Sequence, residues 1–114
     1  MRVPDSPLQE LLRSYHERGL ATEFCDYVLG TLVDYDRAHD TDLLHTLRVY
    51  FRSNGNAIVA ARRLFLHRNS LQYRLDRIAE VLDCDLHDPQ TRLALNLAIE
   101  MAELIQGLPS FEEG

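Results

Sequence analysis

Between His67 and Arg77 the chain carries a close series of side chains made for multidentate hydrogen bonding: Arg68, Asn69, Ser70, Gln72, Tyr73, Arg74 and Arg77. Asparagine and glutamine match the donor–acceptor pair that adenine presents in the major groove of DNA, and arginine matches the two acceptors of guanine. Leu71, Leu75, Ile78 and Leu82 recur at helical spacing through the same stretch. At roughly 100° per residue, burying that stripe turns Asn69, Gln72, Tyr73, Asp76 and Arg77 outward. Arg68 and Ser70 fall in the first turn, where a helix lying in the groove touches base edges. Free backbone N–H groups near His67 favour a phosphate there, with His67 as the cap beside it. Arg62, Arg63 and Arg74 flank this face and suit the phosphate backbone better than the bases.

Charge is distributed to match. The 114 residues sum to a net charge of -6, which by itself argues against a nucleic-acid partner. All twelve basic residues are arginine, however, and residues 48–77 hold seven of them (Arg48, Arg52, Arg62, Arg63, Arg68, Arg74, Arg77) against the single acid Asp76, a local charge of +6. The rest of the chain carries five arginines against seventeen acids. Planar guanidinium groups favour bidentate contacts to phosphate or guanine. A solvated, arginine-rich helical face with no partner is the plainer alternative for the same charges.

The elements that must position these residues read as helices throughout, with no sustained period-2 run. Ser6-Pro7-Leu8-Gln9 has the form of a capping box, opening a helix with Leu8, Leu11, Leu12 and Tyr15 on one face and Gly19 as its stop. A second helix begins near Thr22, and Gly30 predicts a kink or break in its middle. Asp40 or Thr41 is the expected cap of a third helix, striped with Leu43, Leu44, Leu47, Tyr50 and Phe51 and ended by Ser53-Asn54-Gly55. Asn56 caps a short fourth helix whose Ala57, Ala60 and Ala61 allow close approach of a neighbour. After Phe65-Leu66 the fifth helix runs from about His67 to Leu82. Asp88-Pro89 opens a sixth, with Leu93, Leu97, Met101 and Leu104 on one side, Leu95, Ile99 and Ala102 on an adjacent side, and a narrow polar stripe of Arg92, Asn96, Glu100 and Glu103. So wide an apolar arc belongs to a core or to a dimer interface. The order predicts a helical lead-in over residues 1–40, a helix-turn-helix unit over 41–106 and a disordered tail over 107–114. Two short helices joined by a tight turn, the second amphipathic, form the arrangement that sets a recognition helix in the major groove.

Other chemistry finds little support. No apolar run approaches the ~20 residues of a membrane-spanning helix, and no secretory signal opens the chain. His16, His39, His45, His67 and His87 form no HExxH or other zinc spacing, so no metal and no cofactor is expected. Asp83, Asp85 and Asp88 lack the glycine and the final glutamate of a calcium loop and read as a loop followed by a cap. Ser53 and Ser70 have no base in a triad arrangement, and no glycine-rich phosphate loop follows a strand. Cys25 and Cys84 read as small core residues of a protein from a reducing cytoplasm. Enzymatic activity is not expected.

The run His67-Arg68-Asn69-Ser70-Leu71-Gln72-Tyr73-Arg74-Leu75-Asp76-Arg77-Ile78 resembles the signature of the C-terminal helix-turn-helix of PucR-type regulators, which include bacterial regulators of purine catabolism and of sugar diacids. Asp42-Leu43-Leu44 with Leu47 and Gly55-Asn56 upstream, and Asp88-Pro89 with Arg92-Leu93 and Leu95 to Ala98 downstream, are similar to the family's lead-in and closing helices. The similarity spans residues 41–104, and loosely 23–40. It implies an all-α bundle of the Fis-like branch and a cytoplasmic transcription factor that binds double-stranded DNA, as a homodimer and usually behind a sensory region. The first forty residues are too few for a sensor, so the chain reads as a fragment of a longer regulator or as a minimal relative. Ser70 replaces the more common threonine and keeps its hydroxyl. Phe65 stands where many helix-turn-helix proteins place glycine, and since positive φ strains a bulky residue, the expected turn follows a different path. Within this reading Arg68, Asn69, Ser70, Gln72 and Tyr73 lie nearest the bases, while Asn56, Arg62, Arg63, His67, Arg74 and Arg77 hold phosphates. The competing expectation is an all-α dimerisation or adaptor module that binds no DNA.

Overall fold

A computed structural model describes residues 6–106, and every element in it is helical: α1 (Ser6–Glu17), α2 (Ala21–His39), α3 (Leu43–Arg52), α4 (Ala57–Arg63), α5 (Arg68–Leu82) and α6 (Pro89–Gln106). The side chains of residues 6–9, which include the expected capping box, and the expected tail over 107–114 lie outside the described residues. No described helix is long and apolar enough to cross a membrane.

One core draws on α2 through α6. Leu32, Leu47, Leu71, Ile78 and Ala98 are completely enclosed, with Leu29, Leu43, Leu75, Leu86, Leu95 and Ile99 around them. A smaller cluster of Leu12, Ala21 and Met101 fastens α1 across α2 and α6. The lead-in residues of α2 are thus integral to the interior that supports α5. In α4, Ala60 and Ala61 are buried with no side chain beyond Cβ, which lets α5 lie close against it. The stripe predicted for α5 is buried at Leu71, Leu75 and Ile78, with Leu82 half-buried at its end.

Several local expectations are corrected. α2 runs unbroken through Gly30, because burial of Leu29 and Leu32 on either side offsets the modest helix penalty of one glycine. Neither Asp40 nor Thr41 caps α3. Asp36, from the last turn of α2, accepts hydrogen bonds from the Leu43 and Leu44 amides at 2.8 and 3.0 Å and from the Thr41 hydroxyl at 2.7 Å. A carboxylate from the preceding helix therefore satisfies the free amides of the next, which no local cap motif reports. On α6 the apolar arc is internal: Leu95 and Ile99 are buried in the core, whereas Leu93 is 60% exposed. Of the two roles expected for that arc, core or dimer interface, Leu95 and Ile99 take the first. Glu103, read as part of the polar stripe, is buried.

The caps at Asn56 and Asp88 form as the sequence predicts. Asn56 Oδ1 accepts from the Ile58 and Val59 amides, and Asp88 Oδ2 accepts from both the amide and the hydroxyl of Thr91. Gly55, at φ +72°, is required for its conformation; a Cβ there would meet the flexible end of the Arg92 side chain, at 2.6 Å, which can give way.

Candidate nucleic-acid interface

α4 and α5 are joined by Leu64, Phe65, Leu66 and His67. The Phe65 amide donates to Arg62 O at 3.1 Å and the Leu66 amide to Ala61 O at 2.9 Å, the paired bonds of a Schellman helix end. Such an end needs a left-handed residue, and Phe65 supplies it at φ +57°. The turn keeps the usual path despite the missing glycine, contrary to the expectation of a different one. Its hydrogen bonds hold Phe65 where sterics alone disfavour it. Phe65 is 95% exposed.

His67 then starts α5 in extended conformation, its Nδ1 accepting from the Asn69 amide at 3.1 Å. With Nδ1 engaged as the acceptor, Nε2 is the ring nitrogen left to donate. Arg68, Asn69 and Ser70 follow as an exposed first turn. Neither these three side chains nor Arg62 in the last turn of α4 has a hydrogen-bond or ionic partner among the described residues.

The remaining predicted residues are already engaged. Arg74 Nη1 lies 2.6 Å from Asp42 Oδ1 and 3.3 Å from the buried Thr46 hydroxyl, bracing α5 on the start of α3. Arg77 Nη2 donates to the Tyr73 hydroxyl at 3.0 Å, its guanidinium 5.7 Å from the ring centroid and 3.5 Å from Glu80. That hydroxyl bond above all, with smaller contributions from the charges of Tyr35, Tyr73 and Glu80, raises the Arg77 pKa. Gln72 donates to Asp76 at 2.9 Å, one turn along. Arg63 reaches back to Arg52 O and Ser53 Oγ, at 3.4 Å each, and covers the carbonyl end of α3.

Asn69, Ser70, Tyr73, Arg74 and Arg77 together line one open cleft of about 880 Å³ whose other wall includes Tyr35, Asp40 and Asp42. Gln72 stands on the opposite margin of α5, beside a hollow that also includes Asp76, Asp85 and His87. The predicted face therefore divides into a free first turn, a braced cleft and a separate edge. Its charge is narrower than the sequence implied, because Arg48 and Arg52 lie elsewhere. Arg52 Nη2 sits 2.7 Å from both Glu100 and Glu103, and Arg48 Nη1 sits 3.7 Å from Glu103. No grouping of histidine, cysteine and acidic side chains able to hold a metal exists among the described residues. Cys25 and Cys84 are half-buried against the core, and burial, reinforced by neighbouring aspartates, pushes both thiols up.

Comparison with known proteins gives a consistent picture. The Purine catabolism regulatory protein of Bacillus subtilis (strain 168) is 38% identical over 96 residues, covering 84% of this chain and 18% of that protein. The Proline-responsive transcriptional activator PutR of the same organism is 36% identical over 86 residues, covering 75% and 21%. The Carbohydrate diacid regulator of Escherichia coli (strain K12) is 41% identical over 61 residues, covering 54% and 16%. The chain thus spans only about a fifth of the length of each of these three relatives, whose names are those of regulators or a transcriptional activator. No solved structure matches significantly. The family described as the PucR C-terminal helix-turn-helix domain matches residues 43–101, the stretch that builds α3 to α6, and the chain belongs to that family.

Proposed function

We propose that this chain is the sequence-specific, double-stranded-DNA-binding domain of a bacterial transcriptional regulator, acting in the cytoplasm, with α5 entering the major groove. The observation that carries the reading is the first turn of α5, where Arg68, Asn69 and Ser70 stand exposed and, among the described residues, unpaired on a helix whose other face is locked into the core. Rigid presentation of unpaired base-reading groups is what direct readout requires. Arg68 suits guanine and Asn69 adenine. Gln72, after its bond to Asp76, retains its carbonyl oxygen and a second N–H for an adenine edge. Tyr73 extends the surface toward the bases.

Arg62, Arg63, Arg77 and the Nε2–H of His67 hold phosphates in this reading, with the amino group of Asn56 at the α4 start. Arg74 acts through Asp42 as a positioning residue, and its charge reaches phosphate only if that pair opens. A second chain related by two-fold symmetry would set two recognition helices ~34 Å apart, on successive turns of one duplex face. Because Leu95 and Ile99 are internal, such a dimer must use other surfaces. The relatives' greater length leaves room for the sensory region that the family resemblance implies.

Selection of binding sites from random duplexes with the purified chain tests this function. Enrichment of a short motif, present once or as spaced inverted half-sites, is the expected result. Recovery of unenriched sequence at low salt only would reject it. The adaptor reading draws on a different observation, the exposed Leu11 at an apolar groove that it lines with Leu12, Tyr15, Phe24 and Leu97. It predicts a stable oligomer and no salt-dependent affinity for duplex DNA.

A further inference from the structure

Six described residues have positive φ. Gly19 and Gly55 have no Cβ to clash, and Asp40, Asn54 and Asp83 carry the short polar side chains that tolerate the left-handed region. Phe65 is the exception. Its backbone would be relaxed by glycine, and its ring, 95% exposed, contributes nothing to the core. Hydration and conformation both disfavour phenylalanine here, so neither the turn nor the interior accounts for it.

Its surroundings point outward. Phe65 sits between the end of α4, with Arg62, and the start of α5, with His67 and Arg68, the two arginines having no partner among the described residues. An apolar ring set among cations fits a partner that alternates anionic and apolar groups on a short repeat. A duplex backbone does this, since each phosphate is followed by the hydrocarbon face of a deoxyribose. An acidic protein surface would match the arginines but not a projecting ring, and the adjacent base-reading turn has no use on such a surface.

We infer that Phe65 is a DNA-contacting residue whose ring packs on a deoxyribose of the strand bordering the groove, beside the phosphates held by Arg62 and His67. This rests on the DNA-binding reading above and adds to it a non-ionic, sequence-independent contact from the turn itself.

The test compares the wild-type chain with Phe65→Gly, Phe65→Ala and Arg62→Ala, measuring thermal unfolding and affinity for a selected duplex and its scrambled counterpart over a range of salt. Phe65→Gly is expected to melt above the wild type, because strain is relieved, yet to bind both duplexes about tenfold more weakly, the order of effect of losing one buried ring. The slope of log K against log salt should stay unchanged for both Phe65 variants and become shallower for Arg62→Ala. Phe65→Gly that melts higher and binds as the wild type does would overturn the contact. A loss confined to the selected duplex would overturn the sugar assignment in favour of base contact. If the wild-type chain binds no duplex while Phe65→Gly still melts higher, the proposed function itself fails, and the contact with it.

Discussion

Arg52 Nη2 lies 2.7 Å from Glu103 Oε2, tying the last turn of α3 to α6 across fifty-one residues of sequence. The Glu103 side chain is only 10% exposed, and its second oxygen accepts no hydrogen bond among the described residues, with Arg48 Nη1 3.7 Å away. Glu103 therefore depends on Arg52 for most of its compensation. Removing one member of an enclosed pair leaves the other charge stranded.

Arg52→Ala is accordingly expected to lower unfolding stability by about 3 kcal/mol, whereas replacing Arg52 and Glu103 together by apolar residues of similar volume should be near neutral. Urea unfolding of the single and double variants measures both. Equal losses would mean that packing, not the stranded carboxylate, sets the cost.

At the start of α6, the Thr91 amide and then the Thr91 hydroxyl bond to Asp88 and lower its pKa. A carboxylate whose folded pKa is depressed adds stability above its unfolded pKa, and that stability disappears as pH falls through the folded value. The difference in melting temperature between wild type and Asp88→Ala should therefore be full at neutral pH and close only below the ordinary aspartate range, ~3.9. A difference already gone at pH ~5 would show that the cap is not acting through the ionised carboxylate.

Much of this architecture is written locally. The leucine stripe of α5, the Asn56 cap and the Asp88-Pro89 start each depend on residues within a turn or two, so the sequence reveals them. What it conceals is pairing across distance. Arg48 and Arg52 belong to the basic segment by position, yet they face Glu100 and Glu103, so the local +6 does not form a single surface. Asp36 caps a helix other than its own, and Asp42 claims Arg74. The candidate face was legible in its residue types but not in which of them are free. At Phe65 the absent glycine was a readable signal. The sequence could not reveal that the turn would accept the strain.

The Asp42–Arg74 pair gives a way to enlarge the interface. Asp42 bounds the cleft, is largely exposed, and makes no side-chain capping bond to α3. An exposed pair of this kind contributes ~0–1 kcal/mol, so Asp42→Asn should leave stability nearly intact. It should also release Arg74 toward phosphate, tightening binding to all duplexes and steepening the salt slope by about 0.9. An unchanged slope would mean that Arg74 stays too far from the backbone even when free.

The division of labour between helix and flank is tested by a pair of substitutions that leave the core untouched. Asn69 and Arg62 are both exposed and without partners among the described residues, so truncating either removes few internal contacts. Asn69→Ala is expected to cost about 1–3 kcal/mol on a selected site and little on a scrambled one, relaxing the preference at a single base pair. Arg62→Ala should weaken both duplexes equally and reduce the salt slope by about 0.9, the signature of one lost phosphate contact. Titrations of the two variants on matched and scrambled DNA over the same salt series separate these outcomes. If the variants behave alike, Asn69 reads no base, and α5 meets DNA through its charges alone.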